Sequence, residues 1–214
     1  MSAAKSDIRD KVLQAALPEI AREGFSDSAL EKAGKKLGLK PVEVKSAFPH
    51  GAASLMEAFS HWADARMSTR MKSVKDKSLT ARVKAAVKAR IEAIAPHKEV
   101  ARRAAAFLAL PPHAALGVKL VYRTVDAMWR AAGDRSTDFN FYTKRATLAG
   151  VYGATLLYWL GDDSKDNKKT WSFLDHRIAD VMTFEKFKGA TRDAMAKLPD
   201  PLGLFAAWRD GKRR

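Results

Sequence analysis

Gly133-Asp134-Arg135-Ser136-Thr137-Asp138-Phe139-Asn140-Phe141-Tyr142-Thr143-Lys144-Arg145 leads into a run, Ala146 to Leu160, that carries no charge. Ser136, Thr137 and Asp138 offer side-chain oxygens where a helix should begin. The run is shorter than the ~20 apolar residues a bilayer span needs. It suits the central helix of a bundle, buried on all sides. Ala146, Gly150 and Ala154 recur every four residues as a small-residue ridge. Such a ridge lets a neighbouring backbone come close, or leaves room for something other than protein. Adjacent helical residues point ~100° apart, so Phe141 and Tyr142 diverge. Tyr142 shares a stripe with Ala149, Tyr152, Leu156 and Trp159, and Phe141 falls beside Lys144. One aromatic is expected at the surface, where a ring beside Lys144 and Arg145 suits a partner contact. The plain alternative places both at the edge of the core.

Working outward, every other segment also reads as helix. Downstream, Gly161-Asp162-Asp163-Ser164-Lys165-Asp166-Asn167-Lys168-Lys169 is a polar loop. It lacks the Gly and terminal Glu of an EF-hand loop. Thr170 is expected to cap a helix running to about Phe187. Upstream, helices are expected over Ala114 to Ala132, ended by Gly133, and over His97 to Leu110, ended by Pro111-Pro112. Between Lys75 and Arg103 stand nine Lys or Arg and three acids. There Val83, Val87, Ile91 and Ile94 mark an apolar face, and Lys84 and Lys88 a cationic one. That outer face is either a solvated surface or an electrostatic landing surface. The chain begins with helices expected over Ser6 to Glu23, with Pro18 as a possible kink, and Ala29 to Leu37, capped by Asp27 or Ser28. Val42 to Phe48 follows, with Pro41 at the first helical position, and then a long helix from Ala52 to about Met71.

The 214 residues carry a formal net charge of +15, 47% hydrophobic residues and no cysteine. Disulfides, thiol nucleophiles and Cys-ligated metals are excluded. The charge implies an anionic partner: nucleic acid, an anionic membrane surface or an acidic protein. The polar start offers no signal peptide, which gives an expected place on the cytoplasmic side. No Gly-rich phosphate loop or nucleotide fingerprint is present. The histidines His50, His61, His97, His113 and His176 are scattered, with no metal-ligand spacing among them. His61, four residues after Glu57, reads as a helix-surface hydrogen bond, and Asp175-His176-Arg177 as exposed helix. A non-catalytic protein without cofactor or metal requires the fewest assumptions. At the end, Pro199-Asp200-Pro201 makes a hinge. Leu202, Leu204, Phe205 and Trp208 then form an apolar edge before Arg209, Lys212, Arg213 and Arg214. This is either a membrane-surface anchor or a terminal helix docked on its own domain.

Two resemblances refine the reading. Asp126-Ala127-Met128-Trp129, the quoted stretch through Ala146, and Thr170-Trp171-Ser172-Phe173-Leu174-Asp175-His176-Arg177-Ile178-Ala179-Asp180-Val181-Met182 resemble the signature of the coenzyme Q protein nine family. The likeness is specific over about 111–184. Gly38-Leu39, Phe48-Pro49 and Leu55 resemble the amino-terminal domain of TetR-type repressors. Lys45, Ser46 and Ala47 stand where those repressors place a Tyr, and Gly51 near their phosphate-binding Lys. Pro41 to Ala47 has no Arg, Asn or Gln for base edges, and Glu43 would repel phosphate. The shape is that of a helix–turn–helix without its DNA-reading chemistry, so specific DNA is not expected.

The resemblances imply an all-α, TetR-repressor-like fold, a small helix–turn–helix bundle followed by a larger ligand-binding bundle. The regions expected are a three-helix region at 1–50, a lipid-binding region at 51–190 and a basic amphipathic tail at 191–214. They imply a homodimer that binds an isoprenoid or quinone lipid and presents it to a di-iron demethoxyubiquinone hydroxylase. Its place would be peripheral on an anionic inner membrane, on the mitochondrial matrix side in a eukaryote. Candidate lipid-binding residues are Trp62, Met67, Phe107, Leu110, Leu120, Trp129, Tyr152, Leu156 and Trp159. Any one of them also suits an ordinary core. The family's partner segments map to Asp126, Met128, Trp129, Asp138, Phe141 and Tyr142, with Phe141 where some members carry Trp. Candidate membrane-binding residues are Leu202, Phe205, Trp208, Arg209, Lys212 and Arg213. The competing expectation is a TetR-type regulator that binds DNA and an apolar effector.

Overall fold

Alanine-rich segments punctuated by Gly and Pro become helices here, and all but the one ending at Met71 stop near that punctuation. The computed structural model describes residues 3–76, 78–134 and 139–181, and no strand occurs among them. The helices are α1 (Ala3–Glu23), α2 (Asp27–Lys36), α3 (Pro41–Ala47), α4 (Gly51–Met71), α5 (Leu79–Ile94), α6 (Lys98–Ala109), α7 (Ala114–Ala132) and α8 (Phe139–Leu160). Short 3-10 turns at Ala95–His97 and Pro111–His113 join α5 to α6 and α6 to α7. The chain divides into two compact units, Met1–Asp175 and His176–Arg214. In the second, residues 176–181 are described and helical, with Arg177 Nη2 2.8 Å from Asp180 Oδ2.

Several local expectations change. Pro18 lies inside α1 without ending it. The cap of α2 is Ser26, whose Oγ accepts from Ala29 N, rather than Asp27 or Ser28. Asp27 instead accepts at Oδ1 from Ala52 N (2.8 Å), closing the start of α4. In the helix–turn–helix region α2 and α3 meet closely at Gly34, where a Cβ would stand 2.6 Å from Val44 Cγ2. Arg9 ties α1 to the region after it, with Nη1 donating to Ala47 O (2.9 Å) and the guanidinium over the Phe48 ring. On α3, Val42 is exposed, and Glu43 is occupied locally, accepting from Lys40 N (2.7 Å).

The core of the first unit runs through α1 to α8 and the helical residues 168–175. Leu13, Ile20, Phe48, Leu55, Ile91 and Leu174 are wholly or almost wholly buried. The larger correction concerns α8. It is not buried all round: Ala146, Gly150 and Ala154 are exposed, and Leu157 is 65% and Tyr158 41% exposed. Its opposite face, Leu148, Val151, Tyr152, Thr155 and Trp159, is buried. The small-residue ridge therefore points outward. Of the aromatic pair, one ring is at the surface and the other is not. Tyr142 is 65% exposed, and Phe141 is half-buried beneath the Arg145 guanidinium, 3.3 Å from its ring centroid. α6 meets α8 at its far end, where Arg102 Nη2 donates to Leu160 O (2.8 Å). The Tyr142 stripe is covered there and open at its start.

Candidate functional site

Two places gather the candidate residues. The first is a cavity of about 80 Å³ lined by residues of α4 to α8. Met56, Phe59, Ala101, Ala104, Leu108, Leu120 and Leu156 give it an apolar wall, and Arg90, Thr124 and Tyr152 add polar groups. Arg90 is 4% exposed. Its Nε donates to Asp64 Oδ1 (2.7 Å), and Nη2 reaches Ser60 O at 3.5 Å. Asp64 also accepts from Thr124 Oγ1 (3.0 Å) at Oδ1 and from Arg123 Nη2 (3.1 Å) at Oδ2. Burial works against the charge of Arg90, but the oxygens of Tyr152 and Asp64 beside it keep its pKa raised. Burial pushes the Tyr152 phenol up, against the pull of Arg90, so this side chain stays a hydroxyl.

The second place is the junction of α7 and α8. α7 ends in a Schellman turn: Gly133, at φ +90°, donates to Arg130 O (2.9 Å), and Asp134 N donates to Trp129 O (3.0 Å). That turn sets Asp134 beside α8, where Oδ1 lies 3.1 Å from Lys144 Nζ and Oδ2 3.8 Å from Arg145 Nη1. Arg145 is 2% exposed. Its Nε and Nη2 both reach Asp126 Oδ1 at 2.7 Å, and Nη1 donates to Phe141 O (3.2 Å). Asp126 Oδ2 takes Arg130 Nε (2.7 Å). Trp129 Nε1 donates to Lys144 O (3.2 Å), and Lys144 Nζ sits over its ring. The signature segments are thus a clasp between two helices.

The candidates distribute unevenly over these places. Leu120, Tyr152 and Leu156 line the inner cavity. Met67 and Trp159 are core, at 0% and 1% exposure. Trp62 borders a separate open groove of about 740 Å³ with Arg66, whose guanidinium stacks on its ring. Phe107 stacks on His113 with centroids 3.9 Å apart, and Leu110 projects into solvent. Trp129 belongs to the clasp. Of the partner candidates, Tyr142 is exposed, Phe141 and Asp126 are half-buried in the clasp, and Met128 is fully buried. Asp138 and the tail candidates Leu202, Phe205, Trp208, Arg209, Lys212 and Arg213 lie outside the described residues.

The basic face of α5 is partly engaged within the fold. Lys84 pairs with Asp175, Lys88 lies over the Trp171 ring, and Arg82 Nη2 donates to Ala131 O. Glu57 pairs with Lys119 of α7 (2.8 Å) rather than with His61. Sequence reasoning missed Asp64, Arg90, Asp134 and Arg145. It also treated the acids of 161–169 as ordinary loop. There Asp162 accepts from Ser164 N (2.8 Å), Thr170 N (2.9 Å) and Thr170 Oγ1 (2.6 Å). Burial would raise its carboxyl, but these hydrogen bonds hold it well below the usual range. Asp162 therefore closes the start of the next helix, a role the sequence had given to Thr170.

Residues 114–185 match the family described as COQ9. The chain is 33% identical over 187 residues to "Ubiquinone biosynthesis protein COQ9, mitochondrial" of Rattus norvegicus, covering 83% of this chain and 60% of that protein. With the protein of the same name from Drosophila melanogaster it shares 31% identity over 193 residues, covering 86% of this chain and 58% of that one. The chain thus spans about three-fifths of the length of the curated relatives it matches. Among solved structures, a TetR transcriptional regulator from Nitrosomonas europaea superposes with a TM-score of 0.64 at 22% identity, covering 81% of this chain and 97% of that one. That likeness establishes the all-α, TetR-like fold.

Proposed function

We propose, from the match of residues 114–185 to the family described as COQ9, that this chain serves ubiquinone biosynthesis as a non-catalytic lipid carrier. It takes up an isoprenoid or quinone intermediate and offers it to the di-iron demethoxyubiquinone hydroxylase. It works peripherally at an anionic inner membrane, mitochondrial as the relatives' names state, or the cytoplasmic face in a bacterium. The observation that carries the reading is the apolar cavity among α4 to α8, with Leu120, Tyr152 and Leu156 in its wall. Burying a polyprenyl tail is favourable by ~0.8 kcal/mol per CH₂, and a hydroxylase acting on the ring gains from a carrier that shields the tail.

The cavity, about 80 Å³, is far below the ~300–1,000 Å³ of typical ligand sites. Loading therefore requires α7 and α8 to part from α6. The hydroxylase docks on the exposed end of the clasp at Tyr142, and a second copy of the chain covers the uncharged outer face of α8. The net charge of +15 supplies attraction to anionic lipid, at ~1 kcal/mol per basic residue near the surface. Organic extraction and mass spectrometry of the purified protein test the carrier. Isoprenoid or quinone lipid at near-stoichiometric yield is expected. No lipid, together with no tight binding of added isoprenoid, overturns it.

The reading as a DNA-binding regulator fits the fold but not α3, where Val42 is exposed and Glu43 caps its own helix. Salt-sensitive binding to arbitrary DNA would not support it, because the net charge alone predicts that. Selective binding of a palindromic duplex at physiological salt would.

A further inference from the structure

Arg90 carries more donors than the fold uses. Its Nε meets Asp64 Oδ1 at 2.7 Å and its Nη2 reaches Ser60 O only at 3.5 Å. Its Nη1 is buried and finds no acceptor among the protein atoms. The carboxylate of Asp64 is turned to other donors, Oδ1 also taking Thr124 Oγ1 and Oδ2 taking Arg123 Nη2. One carboxylate is thus shared by two guanidinium groups, and the cluster keeps a surplus positive charge. Arg123 is 37% exposed and keeps water, so the unmet need inside is the Nη1 donor of Arg90: a buried donor without an acceptor is costly, and interiors hold few of them. Arg90 lines the inner cavity together with Tyr152, whose buried phenol stays a hydroxyl. The remaining wall is apolar.

We propose that this corner of the cavity is a subsite for an anionic oxygen, a carboxylate or phenolate, carried by an amphiphile whose apolar part lies along Leu120, Val121 and Leu156. The guanidinium of Arg90 gives Nη1 to that oxygen and Tyr152 adds its hydroxyl. The incoming negative charge balances the pair of arginines around Asp64. The cavity then selects its lipid by the head as well as by the tail. This rests on reading the cavity as a lipid site. It adds that, at the same tail length, an anionic head is held more tightly than a neutral or cationic one.

Calorimetric titration of the full chain with decanoate, decanol and decyltrimethylammonium tests the subsite, beside the lipid extraction that tests the carrier. A hydrogen bond to a charged group predicts that decanoate binds about ten- to a hundred-fold more tightly than decanol, with the cation weakest. In Arg90→Met, checked for folding by circular dichroism, the preference should shrink to about two-fold while decanol still binds. A preference retained in Arg90→Met places the carboxylate on the basic surface and overturns the subsite. If the variant does not fold, the wild-type series decides. Equal binding of decanoate and decanol overturns the subsite and leaves the carrier standing. Absence of decanoate binding overturns it whatever the extraction yields, and with neither extractable lipid nor tight binding of added isoprenoid both fall.

Discussion

Arg90 and Arg145 are both buried, at 4% and 2% exposure, yet the two regions treat them differently. Arg145 has two carboxylates, Asp126 and Asp134, a carbonyl from Phe141 and an aromatic face. Lys144 and Arg130 complete a set in which charges are matched and donors are used. Arg90 shares a single carboxylate with Arg123 and leaves Nη1 without a protein acceptor. A fully satisfied arginine fixes two helices to each other. An incompletely satisfied one beside an apolar cavity is prepared for something that arrives later. The difference separates structural burial of charge from functional burial, and melting experiments can read it.

The largest expected effect is at the clasp. Arg145→Met leaves Asp126 and Asp134 facing an apolar side chain, and breaking a buried pair costs about 3–5 kcal/mol. For a chain of this size ~1 kcal/mol shifts the melting midpoint by about 2–4 °C. Thermal unfolding followed by circular dichroism should show a fall of roughly 6–20 °C. Adding Asp126→Asn and Asp134→Asn should recover part of the loss, because the two groups that faced Arg145 then carry no charge. Arg90→Met is expected to cost much less, about 1 kcal/mol. Asp64 keeps Arg123 Nη2 at 3.1 Å and Thr124 Oγ1 at 3.0 Å, and one of the competing cations is gone. Equal losses in the two variants would break the comparison, since Arg90 would then be structural in the same sense as Arg145.

The sequence made most of the fold legible, and the failures share a cause. Periodicity and Gly/Pro punctuation located the helices, and α7 runs over the expected Ala114 to Ala132. Periodicity reports where charges are absent, which is not the same as where water is absent. The uncharged outer face of α8 therefore read as buried, and only the fold reveals that Ala146, Gly150, Ala154 and Leu157 are open. The charged clusters failed in the opposite sense. Arg90 was counted within a basic run and Asp64 drew no notice, although each stands on an apolar stripe of its helix. The first stripe is Val83, Val87, Arg90 and Ile94, and the second is Ser60, Asp64, Met67 and Met71. A lone charge in such a stripe signals a buried ion pair. Its partner, 26 residues away here, cannot be read from one helix. From sequence the clasp reads as a partner signature, and its internal role is visible only in the fold, where Asp134 and Arg145 face each other.

The smallest expected effect sharpens the account of surplus charge around Asp64. His61 faces this cluster, and its pKa is lowered by burial first and then by Arg123, while Asp64 and Glu57 pull the other way. Folding thus favours the neutral imidazole. The sign follows: this contribution to stability is complete above the unfolded value of ~6.5 and is lost as pH falls through the lower folded value. His97, lowered by burial and by Arg66, contributes in the same direction. The melting midpoint should therefore decline on acidification below about pH 6.5, and more weakly in His61→Gln. If Arg123 is part of an excess of positive charge, Arg123→Gln should move the His61 titration, followed by NMR, upward toward its ordinary position. The upward movement should be incomplete, since the partial desolvation of this otherwise exposed ring remains. An unmoved His61 titration would mean that Asp64 already neutralises both arginines as seen from α4, and Arg90 would lose its electrostatic reason for holding a donor in reserve.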